Sequence, residues 1–147
     1  MNECTWKDRL QDLGLLALRI LIGYGIARHG WGKLTGDMAG FATGVVAGKL
    51  GFPIPMLFAW AAALSEFLGG IALITGLLTR VGACFVLCVM GTAFFLFHTA
   101  DPWDVKELAF VYGSVALGLI LTGGGRYSLD SLWCRKKCCP VGGTTTS

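Results

Sequence analysis

The run Pro53–Thr79, PIPMLFAWAAALSEFLGGIALITGLLT, constrains this chain more than any other stretch. It exceeds the roughly 20 apolar residues that cross a bilayer as one helix. Its one ionisable side chain, Glu66, sits near the middle. A carboxylate at that depth is costly and rarely faces lipid. At helical spacing Ala59, Ala62, Ala63, Glu66, Gly69 and Gly70 share a face, and small residues there let a second helix come close. Leu57, Leu64, Leu68 and Ile71 are left for the acyl chains. Glu66 is therefore expected to face other helices, one of which brings it a partner.

The remaining sequence agrees with a membrane setting. Charged residues make up only 14 % of the 147 positions and hydrophobic ones 54 %, whereas a soluble domain carries about 25 % charge. The net charge of +3, with no basic stripe interleaved with aromatics, argues against nucleic acid as a partner. The first apolar run contains Arg19 and is followed by no A-x-A-like cleavage site, so it reads as a retained helix rather than a signal peptide.

Spans are expected at about 10–30, 53–79, 81–100 and 105–123. The first ends in a polar and aromatic cap, Arg28-His29-Gly30-Trp31-Gly32-Lys33. Thr35–Gly51 is too short and too weakly apolar to cross, and its periodic Met38, Phe41, Val45, Val46 and Leu50 suit an amphipathic helix lying on the membrane. Pro53 and Pro55 open the second span. Thr79-Arg80 forms a turn, Asp101-Pro102-Trp103-Asp104 breaks the third span from the fourth, and Gly123-Gly124-Gly125 closes the last. The fold class is all-α: an integral membrane four-helix bundle with a short interfacial helix, over residues 1–132, followed by a Cys-rich tail, 133–147.

Four spans put both termini on one side. With them lie Lys7, Arg9, Arg80, Arg126, Arg135, Lys136 and Lys137, against Arg28, Lys33, Lys49 and Lys106 on the other side. That asymmetry predicts cytoplasmic termini. Trp6, Tyr127 and Trp133 would mark the inner interface, and Trp31 and Trp103 the outer one.

Three constellations could carry chemistry. Arg19 and Glu66 lie within a turn or two of one another in depth, and the expectation is a structural ion pair that fixes the bundle, with proton handling as the alternative. His29, His98 and Glu107, beside Trp31 and Trp103, reach one depth from separate helix ends. Two imidazoles and a carboxylate there could bind a quinone-like head group and move its protons, or hold a metal, or each serve only as an interfacial residue. Cys134, Cys138 and Cys139, interleaved with Arg135, Lys136 and Lys137, are candidate thiols for a soft metal, for redox chemistry or for acylation. Cys84 and Cys88 read as small packing residues, protected by burial.

Taken together, Ala17-Leu18-Arg19, His29-Gly30-Trp31-Gly32-Lys33-Leu34, Gly51-Phe52-Pro53-Ile54-Pro55, Glu66-Phe67-Leu68-Gly69-Gly70, Gly76-Leu77-Leu78-Thr79-Arg80, His98, Glu107 and Gly125-Arg126-Tyr127-Ser128-Leu129-Asp130 resemble the DoxX family of small four-helix membrane proteins. The resemblance implies a prokaryotic inner-membrane bundle linked to redox work. Its members include a subunit of thiosulfate:quinone oxidoreductase, a partner of a sulfurtransferase and a superoxide dismutase, and proteins tied to quinone or catechol resistance. It supplies no agreed catalytic residues, and the Cys-rich tail departs from its pattern. The function expected is that of an inner-membrane subunit of a redox system, possible oxidoreductase chemistry included, exchanging electrons or protons with the quinone pool. The alternatives are a non-enzymatic scaffold that recruits a soluble or peripheral oxidoreductase or sulfur-metabolism enzyme, and a small-molecule transporter. The partners expected are the lipid bilayer, such an enzyme, and a second copy of the chain.

Overall fold

A computed structural model describes residues 3–132, with no strand among them. Helix α1 is Glu3–Thr35, α2 is the short Met38–Ala47, α3 is Pro55–Thr75, α4 is Thr79–Phe97 and α5 is Trp103–Thr122. Four of these are long and apolar enough to cross a membrane, all except α2. Their outward faces carry Leu21, Tyr24, Leu57, Leu64, Leu68, Ile71, Phe85, Leu117 and Leu121, all exposed. Apolar surface of that extent around a whole bundle belongs against acyl chains.

The interior is built from small residues. On α1 the buried positions are Arg19, Gly23, Ile26 and Gly30, continued by the half-buried Lys33. On α3 the row facing α1 is Ala59, Ala63, Glu66, Gly70 and Leu73, and Gly69 is buried beside it against α4. Both sets step by four and three residues, the spacing of a helix–helix seam. A Cβ on Gly30 would stand 2.4 Å from the Phe67 amide nitrogen, and one on Gly70 2.5 Å from that of Ala27. These backbones touch, as small residues permit in lipid. The small face expected on α3 is thus the buried one, with Ala62 half-buried at its margin. Helix α3 also packs on α4, and α4 on α5, whereas α1 and α5 barely meet.

Two boundaries differ from expectation. Helix α1 does not end in a cap at Arg28–Lys33 but continues through it to Thr35. Nothing in that stretch breaks a helix outright, and Gly30 is held in the α1–α3 contact. The α3–α4 turn is Gly76–Leu78, and Thr79-Arg80 already belong to α4. Gly76 (φ 70°) ends α3 in the left-handed region, and Leu78 (φ 50°) follows in the same region without a glycine's freedom.

A polar knot holds that strained turn at the end of the bundle near the chain termini. Asp130 accepts from the Leu78 amide at 2.7 Å and the Thr79 amide at 2.8 Å, so a remote carboxylate caps the first turn of α4. Burial opposes ionisation of Asp130. The Thr79 and Leu78 amides and the Arg19 charge outweigh it, and hold its carboxyl below the ordinary aspartate range.

Arg19, fully buried, does not pair with Glu66. Its Nε donates to the Leu73 carbonyl at 3.0 Å and its Nη2 to that of Ile74 at 3.4 Å, two of the carbonyls left without helical partners at the α3 C-terminus. Its Nη1 donates to Gly124 O, and both terminal nitrogens reach Tyr127 O, at 3.4 and 3.5 Å. The expected ion pair fails on distance along the axis. Leu73 is seven residues beyond Glu66, about 10 Å at helical rise, and the guanidinium already has oxygens around it.

Candidate functional site

Glu66 is met instead by Lys33. Because α1 continues past Gly30, its last turn brings Nζ to within 2.5 Å of Glu66 Oε1. The Lys33 side chain stays 30 % exposed, while that of Glu66 is 2 % exposed. The Lys33 ammonium also stands 5.2 Å from the Phe41 ring centre, a cation–π contact that ties α2 to α1. The second carboxylate oxygen of Glu66, Oε2, is buried and has no hydrogen-bond partner among the described residues.

That oxygen belongs to a residue in the wall of a cavity of about 390 Å³ at the end of the bundle opposite the termini. All five helices contribute to it. Phe41, Phe52, Phe58 and Phe97 stand among aliphatic side chains in a mostly apolar wall, while Lys33, Ser65, Glu66 and Tyr112 supply polar groups. Mostly apolar walls with a few convergent polar groups are the usual form of a small-molecule site. Two stretches of wall are π-helical, Phe41–Ala47 in α2 and Ala93–Phe97 at the end of α4. Such departures from α-helical winding recur at functional sites. A cation–π contact of 4.4 Å between Lys49 and Phe97 joins the α2 side to α4. The hydroxyl of Tyr112 has room only because residue 25 is glycine: a Cβ there would overlap it.

His29 and His98 both line this cavity. His29 is exposed and lies edge-on to the Tyr112 ring, centroids 6.1 Å apart. His98 Nδ1 is 2.7 Å from Asp101 Oδ2. A carboxylate facing Nδ1 places the proton there and leaves Nε2 as the second working nitrogen. Glu107 is not in the wall; it is exposed on α5. Helical phase accounts for this, since the positions of that stretch that line the cavity are Val105, Leu108, Ala109 and Tyr112. Trp31 packs on Phe67 and Trp103 on Phe94 and Phe110, and both indoles are otherwise exposed.

The cysteines depart from expectation as well. Cys84 and Cys88 are exposed rather than buried, and Cys88 lines the cavity. Cys134, Cys138 and Cys139 lie outside the described residues. Among the described residues no cluster of His, Cys, Asp and Glu is arranged to hold a metal ion.

Lys33, Asp101, Ser65 and Tyr112 were not singled out by sequence reasoning. A signal for Lys33 was present, because it falls in the same stripe as Arg19, Gly23, Ile26 and Gly30.

Four membrane-crossing helices around small-residue seams, with a mostly apolar cavity at one end, define a polytopic α-helical membrane protein. The chain belongs to the DoxX family, which residues 14–99 match. It is 35 % identical to inner membrane protein YqjF of Escherichia coli over 132 residues, covering 87 % of this chain and 98 % of the relative. Two uncharacterised proteins of Haemophilus influenzae are 30 % and 29 % identical, covering 88 % and 90 % of this chain and 97 % and 91 % of their own lengths. No solved structure matches the chain.

Proposed function

We propose that this protein is an inner-membrane subunit of a redox system, and that its cavity receives the head group of a quinone and exchanges protons with it. The observation that carries the reading is Glu66: a buried carboxylate, neutralised on one oxygen by Lys33 and unpartnered on the other, in the wall of a mostly apolar cavity inside a membrane bundle. Buried polar atoms almost always find a partner, and an exception calls for an explanation such as a working role; the other one among the described residues, Thr79 Oγ1, lies in the Asp130 knot, away from any cavity residue. The residues suit a flat head group. The four phenylalanines offer ring faces, and Ser65, Tyr112 and the His98 Nε2 offer hydrogen bonds to oxygens. A quinone bound there would supply two-electron, two-proton chemistry. The chain's part is to orient the ring, to accept a hydrogen bond and then a proton from a reduced head group at Glu66 Oε2, and to exchange a proton at His98 Nε2.

Inner-membrane placement is supported by the relative of that description in E. coli. The Lys and Arg asymmetry supports cytoplasmic termini, which puts the cavity in the outer half of the bilayer.

Photolabelling of the purified full-length protein with an azido short-chain quinone tests the reading. Label is expected on the 41–52 and 88–98 segments, to be lost in Ala62→Phe, which fills the cavity, and kept in Glu107→Gln. Label spread evenly over the outward faces, or unchanged in Ala62→Phe, overturns it.

A further inference from the structure

We infer that Glu66 makes the site selective for the hydroxyl-bearing, reduced form of its ligand, so that hydroquinone is held more tightly than quinone. The inference rests on the reading of the cavity as a quinone-type site and adds which redox form it favours.

The argument begins with hydrogen-bond inventory. A carboxylate paired with an ammonium is acceptor-only. Oε1 takes its bond from Lys33 at 2.5 Å. Oε2 is left, buried and without a donor. A quinone carries only acceptor oxygens, so its arrival would seal Oε2 against another acceptor. A hydroquinone carries two O–H groups, one of which can donate to Oε2 in a short charge-assisted bond. The other groups in the wall discriminate less. Hydroxyls such as those of Ser65 and Tyr112 both donate and accept, and His98 can do either through Nε2 according to its protonation. The asymmetry therefore comes from one atom. A buried polar atom left unpaired costs more than its hydrogen bond is worth when made, because its desolvation goes uncompensated. Sites built around such an atom reject analogues lacking the matching group far better than apolar pockets reject a missing methylene.

The position of Lys33 completes the picture. Its Nζ is already engaged with Oε1 and faces the Phe41 ring. It neutralises the carboxylate without occupying Oε2. The pair is thus close to neutral as a unit while presenting a one-sided demand for a donor. Glu66 acts here as a specificity-determining residue, and no electron transfer is required of the chain for the preference to exist.

The test is equilibrium binding of a short-chain ubiquinol and of the matching ubiquinone to the intact protein in detergent, anaerobically, with protein-free micelles as the partition control. Hydroquinone is expected to bind at least about tenfold tighter. Glu66→Gln, whose amide offers a donor as well as an acceptor, should bring the two affinities within about threefold of each other or invert them. The wild-type ratio is decisive by itself if that variant folds poorly. Equal affinities, tighter quinone binding, or a ratio unchanged in a folded Glu66→Gln each overturn the inference while leaving a quinone site in place. Binding of neither form overturns the site reading, and the inference with it.

Discussion

The bundle buries a charge at each end and treats the two oppositely. At the terminal end Arg19 is enclosed by carbonyls from Leu73, Ile74, Gly124 and Tyr127, and the turn beside it is capped by Asp130. There is no slack: a Cβ on Gly76 would stand 2.5 Å from Arg19 Nη2. At the other end Glu66 has one partner, an orphan oxygen and a cavity beside it. Burial alone does not separate these residues, for both are within 1 % of complete. Satisfaction does. A charge whose hydrogen bonds are met within the chain is a fastener, and one left short beside a cavity is, in the function proposed above, a receptor.

The largest expected effect comes from removing the fastener. Arg19→Met strands several buried carbonyls and takes a positive charge from beside Asp130, and should cost about 3–5 kcal/mol in detergent unfolding, by analogy with broken buried charge networks. Glu66→Gln should cost about 1 kcal/mol or less, since Lys33 is partly exposed and keeps an acceptor. Equal losses would erase the distinction between the ends.

Next are two glycines. Gly76→Ala meets both a left-handed φ and the Arg19 side chain, and should destabilise by about 2–3 kcal/mol. Gly44→Ala, in α2 with nothing within 4 Å of its Cβ, should be neutral or slightly stabilising. A large loss at Gly44 would mean that the cavity end is as tightly built as the other.

Asp130→Asn should cost about 1 kcal/mol through the weakened cap. The same group gives a pH signature. Its folded pKa is depressed from 3.8, so its contribution is complete above that value and disappears as pH falls through the lower folded value. Unfolding followed from pH 6 to pH 2 should show an acid loss that is shallower in Asp130→Asn. Parallel curves would remove Asp130 from the knot.

The smallest effect is kinetic. Cys84 and Cys88 are one turn apart on α4 and both exposed, but only Cys88 lines the cavity. A short-chain quinol should slow maleimide labelling of Cys88 a few-fold and leave Cys84 unchanged. Equal protection of both thiols would point to a surface effect of the added molecule.

Much of this was legible in the sequence. The small face of α3, its lipid-facing leucines and the joint presence of His29 and His98 follow from helical phase and span ends, which local pattern encodes. The partner of Glu66 does not. Depth within a span is known only to a turn or two, and that error separates Arg19 from Lys33. Reading Arg28–Lys33 as a cap ended α1 before the residue that reaches Glu66, because polar residues at a helix end and polar residues facing a cavity look alike in one dimension. Glu107 fails for a related reason: shared depth does not imply a shared face. The Asp130 cap joins residues 51 and 52 positions apart, beyond any local signal.

The Arg19 knot also sets an order of assembly. Arg19 enters the membrane with α1, whereas Gly124, Tyr127 and Asp130 are translated after α5. Until they arrive, the guanidinium has only the end of α3 to bind, and the left-handed Leu78 turn has no carboxylate to hold it. The bundle therefore cannot latch from either half alone. A nascent chain arrested after Thr122 should remain open to protease at the Gly76–Leu78 turn, and synthesis of the segment that follows α5 should close it, so that this segment acts as the clasp on α1.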